Sequence, residues 1–196
     1  MGYTVVGSRK TRAFRVLWAI EELGLAYDLI PALPASDEIR AVSPLGKVPA
    51  LKDGDDVICD SVAIMTYLAD KHGGLTHPAG TIARARQDAW TNRIIDELDA
   101  LLWTAARHTF VLPKDQRVPE VKESLKPEFD RNIQRIAAEI DGPFLAGDFL
   151  TIPDILLLHC GSWALAAKFP PLPDKIKANA KVLMQRTAYQ KAAALP

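Results

Sequence analysis

The fold is limited most by one stretch of the sequence, SPLGKVPAL, from Ser43 to Leu51. A continuous helix is excluded there, because Pro44 and Pro49 each lack a donor N–H. The residue before a proline is pushed out of the α region, so Val48 is expected to be extended. Proline is tolerated at the first residue of a strand, and we therefore expect a strand to begin at Pro49.

This step into a strand leaves the backbone N–H and C=O of Val48 without ladder partners. Buried backbone groups need hydrogen bonds, so these two must meet water, a side chain or a ligand. A ligand that is itself a peptide would pair with them as an added strand does. The local sequence favours a trans Val48–Pro49 bond, because cis X–Pro bonds are a small minority in folded proteins.

The composition is that of a globular chain without a strong electrostatic preference. It has 196 residues, of which 48% are hydrophobic, and a formal net charge of zero. These values predict a sizeable core and argue against nucleic acid or an anionic membrane as a partner. The sequence has no apolar run long enough for a membrane span, and its start lacks the apolar core of a signal peptide. We therefore expect a cytoplasmic protein.

The two cysteines, Cys59 and Cys160, are far apart and show no metal-ligand spacing. We expect both to be buried thiols that pack as small hydrophobic groups. A disulfide between them is not expected in a reducing compartment. The sequence therefore predicts neither a metal site nor a disulfide.

The first part of the chain alternates short β-rich runs with amphipathic helices. The predicted elements are, in order, strand 3–6, helix 13–23, strand 26–30, helical turns within 36–42, strands 49–52 and 57–59, and helix 60–71. The first three form a βαβ unit with parallel strands, and the DG signal between the last two strands predicts a hairpin. The order β-α-β-α-β-β-α describes a small mixed sheet flanked by helices.

The remainder is predicted to be helical, with helices at 81–111, 119–140 and 155–168 and two shorter ones at the end. Pro127 is expected to bend or interrupt the second helix. Thr151 and Asp154 form a capping box before the third, with Leu150 and Ile155 as its hydrophobic staple. We therefore predict an α/β domain at 1–73, a Gly- and Pro-containing linker at 74–80 and an all-helical domain at 81–196.

Four of these motifs, taken together, resemble the cytosolic glutathione transferase family. They are SPLGKVPAL with the DG turn after it, DSVAIMTYL, FRVLWAIEELGLAYD and FLAGDFLTIPDIL. The resemblance covers essentially the whole chain, and its pattern is similar to that of bacterial-type members. It implies a thioredoxin-like, glutathione-binding domain followed by a helical bundle, and a homodimer.

The resemblance also implies how glutathione is bound. It makes Val48–Pro49 a cis bond and places the Val48 backbone antiparallel to the cysteinyl part of glutathione. It puts Ser61 at the γ-glutamyl carboxylate, which a helix N-terminus favours. Asp60, where the family usually has Glu or Gln, would face the ammonium. The alternative is that Asp60 and Ser61 only cap the helix. Lys47 either approaches the glycyl carboxylate or is solvated.

An enzyme of this family must hold the glutathione thiol as a thiolate near neutral pH. Lowering a thiol pKa of about 8.5 by two units needs about 2.7 kcal/mol of preferential stabilisation. Tyr-type members have a tyrosine after the first strand, where this chain has Gly7, and the loop has no cysteine. The hydroxyls on offer are Ser8 and Thr11, and alignment of FRVLW favours Thr11, with Arg12 assisting by charge. The alternative is that Thr11 only caps the first helix.

The electrophile is expected to bind between the domains, against the long helix. Trp103, Arg107 and Phe110 would share one face of that helix at i, i+4 and i+7. His108 is the nearby ionisable candidate, since histidine is the side-chain type whose unperturbed pKa lies nearest neutrality. The alternative for all four is a place in the bundle core or in a subunit contact.

The leading interpretation is therefore an enzyme of Ser/Thr-like type that adds the thiolate of its co-substrate glutathione to a hydrophobic electrophile. One alternative is a non-catalytic binding module, since the loop GSRKTR contains neither tyrosine nor cysteine. A zeta-type isomerase is less favoured, because the Ser-Ser-Cys loop of that group reads Lys10-Thr11-Arg12 here. No metal, nucleic acid or membrane partner is expected.

Overall fold

The computed structural model describes residues 2–196, and its first seven elements follow the predicted order. They are β1 (Tyr3–Val6), α1 (Ala13–Glu22), β2 (Tyr27–Ile30), α2 (Asp37–Arg40), β3 (Ala50–Asp53), β4 (Asp56–Cys59) and α3 (Ser61–His72). The β-α-β-α-β-β-α order of a thioredoxin-like domain is thereby confirmed. Residue 1, where the predicted domain begins, lies outside the described residues.

The four strands form one mixed sheet in the order β2-β1-β3-β4. β1 pairs in parallel with β2 and antiparallel with β3, which in turn pairs antiparallel with β4. The hairpin turns at the predicted DG, where Gly54 has a φ of 63° that glycine adopts without steric cost. The parallel pair requires α1 to cross over the sheet. The end of β1 therefore meets the start of α1 at residues 7–12.

The rest of the chain is helical, as predicted. The elements are α4 (Ile82–Ile94), a first π turn (Ile95–Asp99), α5 (Ala100–Ala106), a second π turn (Arg107–Val111), a short 3-10 turn (Lys114–Gln116), α6 (Val121–Glu139), α7 (Ile152–Ala166), α8 (Asp174–Leu183) and α9 (Thr187–Ala194). Within residues 2–196, none of these helices has both the length and the apolar character that crossing a membrane would require.

The helix predicted at 81–111 needs a correction, because the two π turns interrupt its regular period. A π turn bonds residue i to residue i+5 and rotates the side chains that follow it relative to a regular helix. Trp103, Arg107 and Phe110 were expected to share one helix face at regular spacing. Arg107 and Phe110 lie in the second π turn, so that spacing does not hold for them. By contrast, α6 continues through Pro127 without the interruption that this proline was expected to allow.

One apolar core joins the two halves of the chain. Trp18 of α1 is fully buried, and Phe14 and Trp18 pack edge-on against Tyr189 of α9 with ring centroids at 5.3 and 5.1 Å. Leu75, in the predicted linker, belongs to the same core. This packing does not mark a boundary at either end of the linker. The division of the chain at 73 and 80 therefore stays a prediction.

A buried carboxylate fixes the start of α7. Asp154 Oδ2 accepts from the Thr151 N–H at 2.9 Å and from the Thr151 hydroxyl at 2.8 Å, and Oδ1 accepts from the Leu145 N–H at 2.8 Å. The predicted capping box is confirmed, with the helix beginning at Ile152 rather than Ile155.

Replacing this carboxylate tests the cap. Asp154→Ala removes three hydrogen bonds and leaves two backbone N–H groups in a buried place without partners. We expect the free energy of unfolding to fall by about 2–3 kcal/mol in urea denaturation. Asp148→Ala, at an exposed position, is the matched control and should change it by less than about 0.5 kcal/mol. Equal, small effects of the two would contradict the role of the cap.

Candidate functional site

The backbone at Val48 is the first part of the candidate site. The Val48–Pro49 bond is cis, as the resemblance implied and against the local expectation of trans. β3 starts at Ala50, so Val48 lies just outside the ladder. Within residues 2–196, its N–H and C=O find no hydrogen-bond partner. Val48 is half-buried and Lys47 beside it is exposed. The arrangement offers a short unpaired edge to an extended peptide.

Asp60 and Ser61 form the start of α3. Asp60 Oδ1 accepts from the Val62 N–H at 2.8 Å and the Ala63 N–H at 3.2 Å, so this carboxylate caps the helix. Its Oδ2 has no partner within the part of the chain that the structure describes. Ser61 is 2% exposed, and its Oγ accepts a long hydrogen bond of 3.4 Å from Arg15 Nη1. The Ser61 hydroxyl hydrogen is thereby left for another acceptor.

The loop between β1 and α1 carries the two candidate hydroxyls. Thr11 Oγ1 donates to the Ser8 carbonyl at 2.7 Å and accepts from the Ala13 N–H at 3.1 Å. The Thr11 N–H donates to the same Ser8 carbonyl at 2.9 Å. The hydroxyl and the N–H of Thr11 therefore both serve to close the loop. Ser8 Oγ accepts one weak bond of 3.4 Å from the Lys10 N–H, and its hydroxyl hydrogen has no acceptor among residues 2–196. The hydroxyl hydrogen of Thr11 is therefore engaged, whereas that of Ser8 is free to donate.

Packing at Gly7 accounts for the missing tyrosine. A Cβ added at Gly7 would lie 2.5 Å from the Cβ of Ala13, well inside the contact distance of two carbon atoms. α1 therefore approaches the end of β1 so closely that a side chain there would force the two elements apart. A tyrosine side chain at position 7 has no room in this arrangement.

Arg12, expected to assist by charge, is held by the helical part of the chain. Its guanidinium bonds Asp99, with Nε at 3.2 and 3.1 Å from the two carboxylate oxygens and Nη2 at 2.8 Å from Oδ2. It also lies between Trp103 and Trp163, at 5.0 and 4.9 Å from their ring centroids, within the range of cation–π attraction. Residues distant in sequence thus set the position of Arg12.

Arg15 is the site residue that sequence reasoning missed. It is 1% exposed and its Nη2 bonds Asp99 Oδ1 and, at 3.1 Å, His159 Nδ1. Its Nη1 reaches Ser61, and its Nε has no partner among the described residues. A signal for it was present, because an arginine on the apolar face of FRVLW must find a buried partner.

Two guanidinium groups share one carboxylate here, so the cluster keeps a surplus positive charge. Burial raises the pKa of Asp99, but the charges and hydrogen bonds of Arg15 and Arg12 outweigh it and hold that pKa below its usual value. Burial and the Arg15 charge lower the pKa of His159 to about 3, which keeps the imidazole neutral. Burial raises the pKa of Cys160 to about 12, so this thiol is inert. The cluster therefore favours an anion beside it.

The two cysteines differ in burial. Cys160 is buried, as predicted, whereas Cys59 is exposed, so the prediction for Cys59 is wrong. The physical reason is that β4 is an edge strand of the sheet and carries exposed residues along its length. Among residues 2–196, no group of three or more His, Cys, Asp or Glu side chains is arranged to hold a metal ion.

Of the four residues predicted to line an electrophile pocket, Trp103 lies against the loop, with its ring on Arg12. The other three belong to the second π turn and do not continue the Trp103 face with helical spacing. Two of them bond residues nearby in sequence: Arg107 Nη2 donates to Thr104 Oγ1 at 3.2 Å, and His108 Nδ1 accepts from the Val118 N–H at 3.1 Å. The third, Phe110, is 64% exposed.

Removing the shared carboxylate should be costly. Asp99→Asn leaves two guanidinium groups uncompensated in a place where the carboxylate is 12% exposed, and we expect the free energy of unfolding to fall by about 3 kcal/mol. Urea denaturation at pH 7 measures it. The control is Asp88→Asn, because the Asp88 carboxylate is 49% exposed and its partner Arg84 keeps a second ion pair with Asp70, so it should cost less than about 1 kcal/mol.

The pH dependence follows from the same group. Because the pKa of Asp99 is lowered in the folded state, its contribution is present above the unfolded value of about 3.9 and is lost as the pH falls below it. The wild-type protein should therefore lose this part of its stability in acid, and Asp99→Asn should not. Parallel acid profiles of the two proteins would contradict the assignment.

Comparison with known proteins gives concordant matches over the whole chain. Residues 3–76 match the family model described as "Glutathione S-transferase, N-terminal domain". Glutathione S-transferase 1 of Zea mays is 30% identical over 196 residues, which cover 92% of this chain and 90% of the maize protein. Glutathione S-transferase theta-1 of Rattus norvegicus is 33% identical over 131 residues, so the chain spans about half, 54%, of that relative.

Solved structures agree with this likeness. The theta class glutathione S-transferase from Xanthomonas axonopodis pv. citri, solved with glutathione bound, is 26% identical, with a TM-score of 0.78 over 100% of this chain and 98% of that one. The ternary complex of BphK, a bacterial GST, is 24% identical and has a TM-score of 0.85 over 96% of both chains, which shows the shared fold.

Proposed function

Because the chain belongs to the glutathione S-transferase family, we propose that it works as a glutathione transferase, with its co-substrate glutathione lying along Val48. The observation that carries this proposal is the pair of unpaired backbone groups at Val48, directly before β3. The amide and carbonyl of a cysteinyl residue complement them as an antiparallel strand would. Lys47, exposed beside Val48, is proposed to approach the glycyl carboxylate.

The γ-glutamyl end is proposed to bind at the start of α3. The Ser61 hydroxyl accepts from Arg15, so its own hydrogen is free to donate to the carboxylate, and a donor whose oxygen already accepts a hydrogen bond is strengthened. The α3 N-terminus and the surplus charge of the arginine cluster favour the same anion. Asp60 keeps one carboxylate oxygen for the ammonium, since its cap bonds use only Oδ1.

The thiolate is proposed to receive its hydrogen bond from the loop between β1 and α1. Thr11 would have to give up its 2.7 Å bond to the Ser8 carbonyl to donate to sulfur, at a cost of about 1 kcal/mol. Ser8 has no such bond to give up, which supports Ser8 as the donor and Thr11 as the residue that orients it. Arg12 contributes positive charge, reduced by its pairing with Asp99.

The electrophile is proposed to be hydrophobic and to enter between the loop and the long helix. The Trp103 ring, which packs on Arg12 of that loop, supports this position for the electrophile. Arg107, His108 and Phe110 are proposed to line the outer part, where the second π turn leaves Phe110 exposed. The binding module without catalysis stays the second interpretation, because the hydroxyl of Thr11 is already engaged.

Substitution of the two hydroxyls tests activation apart from binding. We expect Ser8→Ala to lower kcat/KM with a chromogenic aryl halide by about tenfold or more, because the thiolate loses a preorganised donor. Thr11→Val should have a smaller effect. Both variants should keep their retention on immobilised glutathione.

Two other outcomes would contradict these assignments. A larger loss in Thr11→Val than in Ser8→Ala would return the role to Thr11. Wild-type protein that is not retained on glutathione and shows no thermal shift with it would overturn the transferase proposal in favour of the binding module.

We further propose a homodimer, which the family resemblance implies. Large apolar side chains exposed on two elements, Val57 of β4 and Ile82 of α4, at 40% and 71% exposure, support a surface for self-association. Light scattering should give twice the subunit mass of 21.5 kDa. A mass near one subunit at micromolar concentration would refute the dimer.

A further inference from the structure

We propose that Arg12, directly before α1, is a catalytic residue whose Nη1 group stabilises negative charge that develops on an oxygen atom of the electrophile. This role rests on the proposed transferase function and deepens it, because it names the substrate class. The class is that of α,β-unsaturated carbonyl compounds, in which addition of the thiolate places charge on the carbonyl oxygen. Arg12 thereby acts on the electrophile and not only on the sulfur.

The guanidinium of Arg12 is bound along one edge. Its Nε lies 3.2 and 3.1 Å from the two carboxylate oxygens of Asp99, and its Nη2 lies 2.8 Å from Oδ2. A guanidinium is a planar fork with five N–H donors, so Nη1 points away from an acceptor that binds both Nε and Nη2. Within residues 2–196, Nη1 has no hydrogen-bond partner. Its two N–H donors therefore remain for a ligand.

The helical part of the chain holds this unused group in place. The guanidinium carbon of Arg12 lies 5.0 Å from the ring centroid of Trp103 and 4.9 Å from that of Trp163. Asp99 belongs to the first π turn, Trp103 to α5 and Trp163 to α7. Contacts from three elements thus fix one side chain of the loop. A donor that is already oriented costs no reorganisation when charge develops beside it.

The Arg12 side chain is also accessible, in contrast to the arginine that shares Asp99 with it. Arg12 is 25% exposed, whereas the side chain of Arg15 is 1% exposed. Arg15 uses both of its terminal nitrogens within the buried cluster, where they contact Asp99, Ser61 and His159. The surplus positive charge of the two arginines can therefore meet an electrophile only through Arg12. The tryptophan rings cover part of this guanidinium, and a hydrogen bond to an anion is stronger where water is excluded.

The position of Arg12 in the loop connects this donor to the proposed thiolate site. Arg12 directly follows Thr11, whose hydroxyl and N–H close a turn on the Ser8 carbonyl at 2.7 and 2.9 Å. The same loop therefore carries the hydroxyl proposed for the sulfur and the unused Nη1 group. The electrophile is proposed to enter beside Trp103, on whose ring Arg12 packs. This arrangement supports a contact between Arg12 and the electrophile during the reaction.

The proposed step is a conjugate addition. The thiolate sulfur of glutathione forms a bond to the β-carbon, and the electron pair of the C=C bond moves towards the carbonyl, whose oxygen becomes an enolate. Arg12 Nη1 donates a hydrogen bond to this oxygen, which is a stronger acceptor in the transition state than in the ground state. Water then protonates the α-carbon, and this proton replaces the one that the thiol lost on ionisation. When chloride is displaced from benzyl chloride, the charge leaves with the halide and no oxyanion forms.

Two electrophiles of similar size separate this role from stabilisation of the thiolate. Arg12→Gln removes the charge, and Arg12→Lys keeps it as a point charge without a second donor edge. Both variants should fold, which the thermal midpoint checks, because Arg15 still balances Asp99. We expect kcat/KM with benzylideneacetone to fall at least about tenfold more than kcat/KM with benzyl chloride. The rates are compared at a pH at which the thiolate absorbance shows that bound glutathione is fully ionised in each protein.

The matched control is Arg9→Gln, which removes the same charge from an exposed position of the same loop. An exposed charge is screened by solvent and salt, so the ratio of the two kcat/KM values should stay within about twofold of wild type. This control separates the held guanidinium of Arg12 from a general effect of positive charge near the site.

The outcomes separate this role from the function on which it rests. Equal losses with the two electrophiles in Arg12→Gln would overturn the inference and leave the transferase proposal standing, since Arg12 would then act through the sulfur alone. A wild-type ratio in Arg12→Lys, or wild-type protein that converts benzyl chloride but not benzylideneacetone, would also refute it. Wild-type protein that converts neither compound and is not retained on glutathione would instead overturn the proposed function, and this role with it.

Discussion

The pairing of Asp99 with Arg12 and Arg15 is the interaction on which the rest of the site depends. Two guanidinium groups side by side in a low-dielectric interior repel each other unless an anion lies between them. Asp99 supplies that anion from the first π turn, while both arginines come from the start of α1. The pairing therefore joins the helical bundle to the loop next to β1, and it leaves one positive charge over for a ligand anion.

In the proposed function, glutathione binding and thiol activation use different parts of this structure. The proposed binding edge, Val48 with the start of α3, is built by short-range features: an extended step before a proline and a helix cap at Asp60. The proposed activation loop is instead held from outside, by Asp99, which pairs with Arg12, and by Trp163, whose ring packs on Arg12. Under this proposal, a change in the bundle would alter thiol ionisation without altering the proposed binding edge.

The fold was predictable because its signals are local. The DG turn and the Thr151–Asp154 capping box each act within a few residues, and each lies where the sequence indicated. The errors arose where local periodicity was extended too far. The helix predicted at 81–111 contains two π turns. A pattern of 3.6-residue spacing does not show where a π turn inserts an extra residue. Trp103 and Phe110 therefore do not share the face that regular spacing predicted.

The sequence by itself determined the order of elements, the unpaired backbone at Val48 and the lack of a tyrosine or cysteine in the loop. Only the tertiary structure decided which hydroxyl is free, since the Thr11 hydrogen is taken by the Ser8 carbonyl. It also decided that Arg15 is buried against Asp99, 84 residues away, and that Cys59 is exposed. The reason is that burial and hydrogen-bond partners depend on contacts between distant elements, whereas turns, caps and strand entry depend on the residues next to them.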